Sequence, residues 1–215
     1  MSIAARLRAT HERMAAACES VGRDPADVTL IAVSKTFPVA AIQAAYDAGH
    51  RDFGESRWQE LEPKAAQLPA DIRWHFIGKA QSNKIRRIAE VCTLIHSLES
   101  ESQILELSKR DEPTNVLLQV NIAQEPQKSG IFPEALDTVI NTVLTYDHVR
   151  LRGLMTIGPA QAEPEQMRNH FRKMRKLLEQ CPGKWLSLGM SGDYEMAIQE
   201  GSTHIRVGSA IFGDR

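Results

Sequence analysis

Apolar positions along this chain fall into two alternating kinds of run. Residues 29–34 (TLIAVS) form an almost unbroken apolar stretch of strand length, the pattern of a strand covered on both faces. Residues 38–48 instead space their apolar side chains at helical intervals. The same alternation continues to the end of the chain. It predicts strands over 51–54, 73–77, 93–97, 116–122, 150–155, 185–188 and 204–207, separated by helices over 57–68, 83–91, 101–109, 133–145, 165–180 and 194–200. Ahead of the first strand, Ile3, Leu7, Met14, Cys18 and Val21 form one stripe of an amphipathic helix, which Gly22 and Pro25 terminate.

Strands that alternate with helices imply right-handed parallel crossovers with both sheet faces covered, and eight of them close into a (β/α)8 TIM-type barrel. An open doubly wound sheet is the competing architecture, but no GxGxxG follows the first strand. Only eight residues follow position 207, so no helix is expected after the eighth strand, and the extra N-terminal helix, 1–22, is expected to fill that place on the barrel. The 215 residues suit a single domain, 1–215.

Composition narrows the setting more than the chemistry. A formal net charge of -1 argues against nucleic acid as a partner. The cluster Lys79, Lys84, Arg86 and Arg87 lacks interleaved aromatics and reads as a solvated helix face. Cys18, Cys92 and Cys181 are widely spaced and odd in number, which suggests neither a disulfide framework nor a zinc site and fits a reducing, cytoplasmic setting. Arg6, Arg8, Glu12 and Arg13 interrupt the first segment, so neither a secretory signal nor a membrane span is expected. A monomer is the default expectation, since no long exposed apolar stripe is evident.

In a TIM barrel the working residues stand where strands exit at the C-terminal face. The first strand exits into Ser34-Lys35-Thr36, which sets a primary amine at the barrel mouth among apolar neighbours. Desolvation there favours the neutral amine that Schiff-base chemistry requires, although a strand-end lysine that merely snorkels is an equal reading. Strand seven exits through Leu188-Gly189-Met190-Ser191-Gly192-Asp193, a turn whose backbone N–H groups and Ser191 hydroxyl suit a phosphate. Asp193 is expected to face away from that anion and serve the helix dipole. Strand eight adds Gly208 and Ser209, and carries Arg206. An inward guanidinium needs an acceptor, either a pyridine nitrogen or an acid such as Glu55.

With those exits read, the chain resembles the YggS/PROSC-type pyridoxal 5′-phosphate (PLP) homeostasis proteins almost end to end. The matching segments are Ala32-Val33-Ser34-Lys35-Thr36, Phe53-Gly54-Glu55, Trp74-His75-Phe76-Ile77-Gly78, Gln81-Ser82-Asn83-Lys84, Lys128-Ser129-Gly130, Arg152-Gly153-Leu154-Met155, Leu186 to Ser191 and Arg206-Val207-Gly208. The resemblance implies a fold-type III barrel, similar to the N-terminal domain of alanine racemase, without its C-terminal β domain. It implies PLP held as a Schiff base on Lys35, with the phosphate near Ser191, Gly208 and Ser209, the ring nitrogen near Arg206, Ser56 near the polar edge, and His75 and Met155 lining the mouth. It also implies a non-catalytic PLP carrier in vitamin B6 homeostasis, with PLP-dependent apo-enzymes as recipients.

Four positions depart from the family pattern: Ser56 for an asparagine, Ala80 for a leucine, Gly192 for an acidic or polar residue and Ser209 for a threonine. They touch ligand geometry and affinity rather than the lysine. An amino-acid racemase is the alternative reading, but it needs a second acid/base. Of Tyr46, Tyr146 and Tyr194, only Tyr194 starts near the phosphate turn. A metal-dependent hydrolase is disfavoured, because His75 and His96 stand alone without HxH or HExxH spacing.

Overall fold

The computed structural model describes residues 1–159 and 161–213; residues 160, 214 and 215 of the expected 1–215 domain lie outside the described residues. Eight parallel strands close into a barrel in sequence order: β1 (Thr29–Val33), β2 (Asp52–Glu55), β3 (Arg73–Phe76), β4 (Cys92–Leu98), β5 (Thr114–Gln119), β6 (Val149–Met155), β7 (Trp185–Ser187) and β8 (His204–Val207). Between them run helices α2 (Val39–Asp47), α3 (Trp58–Ala65), α4 (Ile85–Val91), α5 (Glu101–Ser108), α6 (Leu136–Leu144), α7 (Pro164–Leu178) and α8 (Tyr194–Gln199). The ring is sealed by β1 against β8, in register from Thr29 with His204 to Ala32 with Val207.

Period-two alternation along each strand sorts side chains between two environments. Leu30, Ala32, Trp74, Phe76, Leu186, Ile205 and Val207 face the helices in the main apolar core. Their sequence neighbours face inward, where Leu94, Leu117 and Met155 pack as a separate cluster against Trp185. His75, His96, Ser187, His204 and Arg206 share that inward parity and are all buried. The barrel interior is therefore half apolar and half polar.

Helix α1 (Ile3–Glu19) starts at Ser2, whose side chain accepts from the Ala5 N–H. It lies against α8 and against a one-turn helix, α9 (Ser209–Phe212). That last helix corrects the expectation that nothing helical follows the eighth strand: four residues suffice for one turn, and α1 covers the surface that a longer helix would take. Arg6 ties the two together by donating to the carbonyls of Ile211 (2.6 Å) and Phe212 (3.0 Å).

Two other boundaries moved. The expected helix 133–145 opens as a single 3-10 turn, Pro133–Ala135, before α6, a common entry geometry behind a proline. The strand expected over 116–122 stops at Gln119, because the chain folds back at Gly130 and Ile131 donates to the Gln119 carbonyl. Gly130 has φ +118, and a Cβ there would sit 2.7 Å from the Asn121 nitrogen, so only glycine permits the return. Cys18, Cys92 and Cys181 are free. Among the described residues no helix is long and apolar enough to cross a membrane.

Candidate functional site

A cavity of about 530 Å³ opens at the C-terminal face of the barrel, where this architecture places ligands. Six of the residues expected from the sequence line it: Lys35, Ser56, Ser191, Arg206, Gly208 and Ser209. Phe37, Ile157 and Met190 add an apolar rim. The rim escaped sequence reading because these residues sit in turns beyond the strand exits, where apolar periodicity carries no signal.

Lys35 stands two residues past the end of β1 and is half-buried. The residues on either side of it are clamped. Ser34 donates to Glu55 Oε1 (2.7 Å), while Lys64 from α3 donates to the same oxygen (2.6 Å) and to the Ser34 carbonyl (3.0 Å). On the other side, the Thr36 N–H donates to Glu60 Oε2 at 2.6 Å, and Thr36 is held at φ +69. Burial pushes the Glu55 carboxyl up, against the opposing bonds from Lys64 and Ser34. For Glu60 the penalty of burial is outweighed by the Thr36 N–H and the Lys64 ammonium, which hold it below its ordinary value. A buried, hydrogen-bonded ion pair thus fixes the turn that carries the lysine.

Arg206 forms the cavity floor. Its guanidinium donates to Ser187 Oγ (2.6 Å) and to the Thr156 carbonyl (2.8 Å). Burial lowers its pKa to about 10, with the Asp193 charge opposing, so it stays cationic at neutral pH. The alternative partner considered from sequence, Glu55, is on the helix-facing side with Lys64, and among the described residues no carboxylate forms an ion pair with Arg206.

The turns after β7 and β8 are joined by Ser191, whose Oγ accepts from the N–H groups of Gly208 (3.1 Å) and Ala210 (3.5 Å). Gly189 opens the first of these turns at φ +86, where a Cβ would meet that of Ala197 at 2.6 Å. Asp193 stands at the start of α8 and outside the cavity lining, as expected, but its side chain makes no cap bond to the helix. Its carboxylate turns back and accepts from the Met190 N–H at 2.6 Å, because the tight turn leaves that amide without another partner.

Two expected lining residues are corrected. His75 and Met155 point into the barrel below the cavity: His75 contacts His96 (3.0 Å) and Asp52 (3.1 Å), and Met155 is enclosed by the inner apolar cluster. The cavity is reached instead by Ile77 and Ile157, each two residues further along. Tyr194 is also away from the cavity, buried with the Arg13 guanidinium of α1 at 5.5 Å from its ring centre. Ser187 and Thr156, which hold Arg206, were not singled out from sequence. Ser187 was readable by parity, being a polar residue between two outward leucines.

The family model described as alanine racemase, N-terminal domain, matches residues 6–215. A protein of Pseudomonas aeruginosa named pyridoxal phosphate homeostasis protein is 44% identical over all of this chain and 96% of its own length. One of the same name from Escherichia coli is 39% identical over 99% of this chain and 97% of its own. This chain belongs to the pyridoxal phosphate homeostasis protein family, on the alanine racemase N-terminal domain fold. A solved relative of that family, PipY of Synechococcus elongatus with PLP bound, superposes with a TM-score of 0.84 at 34% identity, over 99% of this chain and all of that one. Alanine racemase of Corynebacterium glutamicum shares the barrel alone, with a TM-score of 0.72 at 15% identity, over 97% of this chain and 62% of the enzyme.

Proposed function

We propose that this protein binds PLP on Lys35 and serves PLP homeostasis as a carrier rather than a catalyst. The observation that carries the reading is the convergence on one cavity of an amine, an unpaired guanidinium and two hydroxyl-bearing turns. PLP presents three matching handles, an aldehyde, a pyridine nitrogen and a phosphate, and when bound it supplies a reactive carbonyl. Lys35 would supply the amine that condenses with that carbonyl, with loss of water. Ser191 and Ser209 would hold the phosphate through their hydroxyls, where Gly208 leaves room for it beside them. Ser56 reaches the polar edge of the ring.

Arg206, which lines the cavity, would offer the ring nitrogen donors only. A nitrogen that accepts from a guanidinium stays unprotonated, which withholds the electron sink on which PLP enzymes rely. Tyr194 lies under α1 and outside the cavity lining, which favours the carrier reading over a racemase that would need it as second acid/base. Reversible attachment at a mouth rimmed by exposed Ile157 and Met190 suits release of PLP to apo-enzymes.

Absorption spectroscopy tests this directly. Protein mixed with PLP is expected to turn yellow, and borohydride is expected to bleach the band and fix a pyridoxyl adduct that peptide mass mapping places on Lys35. Lys35→Ala is expected to lose both signals. An adduct on any other lysine defeats the assignment, and rapid racemisation of D- or L-amino acids by loaded protein defeats the carrier reading.

A further inference from the structure

Beneath the cavity floor, the barrel interior carries a row of polar side chains that touch no ligand in the proposed scheme. Asp52 Oδ1, at the opposite rim, lies 3.1 Å from His75 Nε2. His75 Nδ1 lies 3.0 Å from His96 Nε2, and His96 Nδ1 lies 2.9 Å from Ser187 Oγ. Arg206 then donates to that same Ser187 oxygen at 2.6 Å. Four contacts therefore run from Asp52, on a second cavity of about 620 Å³ at the N-terminal end, to the guanidinium on the floor of the first.

Donor and acceptor chemistry leaves the chain one direction. Arg206 has only donors, so Ser187 accepts from it, and its own hydrogen remains available to His96 Nδ1. His96 then carries its hydrogen on Nε2 and donates to His75 Nδ1. His75 in turn carries its hydrogen on Nε2 and donates to the Asp52 carboxylate, which only accepts. The acceptor-only Asp52 end sets this order for neutral rings, and the Arg206 end is compatible with it, because the Ser187 oxygen can accept from the guanidinium and still donate. The surrounding charges support it. Burial, reinforced by His75, His204 and Arg206, pushes His96 well below the imidazole range, and His204 packs edge-on with its ring centre 6.0 Å from that of His96. Arg73 grips both carboxylate oxygens of Asp52, sharing Oδ1 with His75.

We propose that Asp52, His75, His96 and Ser187 form one polarised hydrogen-bond chain that positions Arg206 for the ring nitrogen of PLP. They act through Arg206 and are positioning residues. With one guanidinium nitrogen held by Ser187 and another by the Thr156 carbonyl, the plane of the group is fixed, and its remaining N–H groups are left for the cavity. This inference deepens the PLP reading and rests on it for the identity of the ligand.

Two measurements decide it. In ligand-free protein with 15N-labelled histidine, a through-hydrogen-bond nitrogen–nitrogen coupling is expected between His96 Nε2 and His75 Nδ1, with the hydrogen resident on His96. No coupling, or a hydrogen resident on His75 Nδ1, overturns the chain. Ser187→Ala is then expected to weaken PLP binding about tenfold, the loss typical of a charge-assisted hydrogen bond, while inorganic phosphate binding stays unchanged. Equal loss for both ligands, or no loss for PLP, overturns the positioning role. If that variant does not fold, the coupling in the unmutated protein still decides the chain. Absence of a reducible adduct on Lys35 would sink the PLP reading while leaving the coupling result intact.

Discussion

Thr36 holds the least comfortable backbone near the candidate site. A β-branched residue at φ +69 lies in the left-handed region, which costs an L-residue about 1–2 kcal/mol. The conformation persists because Glu60 accepts the Thr36 N–H and Lys64 holds the preceding carbonyl. Thr36→Gly is expected to raise unfolding stability by about 1 kcal/mol, read as a higher urea midpoint at unchanged slope. A lower midpoint would show that the threonine side chain outweighs the strain. At this same scale the sequence was informative wherever a residue occupied a strand exit. Lys35, Ser191, Arg206, Gly208 and Ser209 all line the cavity. His75 and Met155 each stand two residues before the lining position of their strand, which at about 3.3 Å per residue sets them some 6.6 Å too deep.

Helix α3 is coupled to the lysine turn through one buried pair. Lys64 Nζ lies 2.6 Å from Glu55 Oε1, and both side chains are almost fully buried. Lys64→Met leaves the Glu55 carboxylate without its cation, and a loss of about 3–5 kcal/mol is expected in chemical denaturation. Replacing both residues, Lys64→Met with Glu55→Leu, is expected to recover most of that loss. A single variant as stable as the parent would mean that Glu55 is already neutral beside Lys64. Neither partner announced this pair in the sequence, since a lysine on an amphipathic helix ordinarily faces water. The elements themselves were legible: all eight strands were expected within a few residues of where they lie. The exceptions share a cause. The end of β5 and the one-turn α9 depend on a fold-back at Gly130 and on cover from α1, contacts between segments far apart in sequence.

Buried imidazoles give the whole molecule an acid-sensitive fold. Burial lowers His50 to about 4, against an opposing bond to the Asp52 carbonyl, and lowers His204 to about 3, against the opposing charge of Asp52. Both folded values lie below the unfolded value near 6.5. Their contribution is complete above pH 6.5 and is lost as pH falls toward the folded values, because the unfolded chain takes up protons first. By pH 5 each is expected to cost about 2 kcal/mol. Urea midpoints measured at pH 7.5 and pH 5 test this, and equal midpoints would mean that these rings protonate inside the fold.

The seam between β1 and β8, latched by Arg6 on the last carbonyls of α9, also sets a schedule for synthesis. A nascent chain emerging from the ribosome leaves β1 with a bare edge until residues 204–212 arrive. β2 covers the other edge of β1 early, but this edge waits for β8, so slow codons ahead of residue 204 would prolong the interval in which it is open to misassembly.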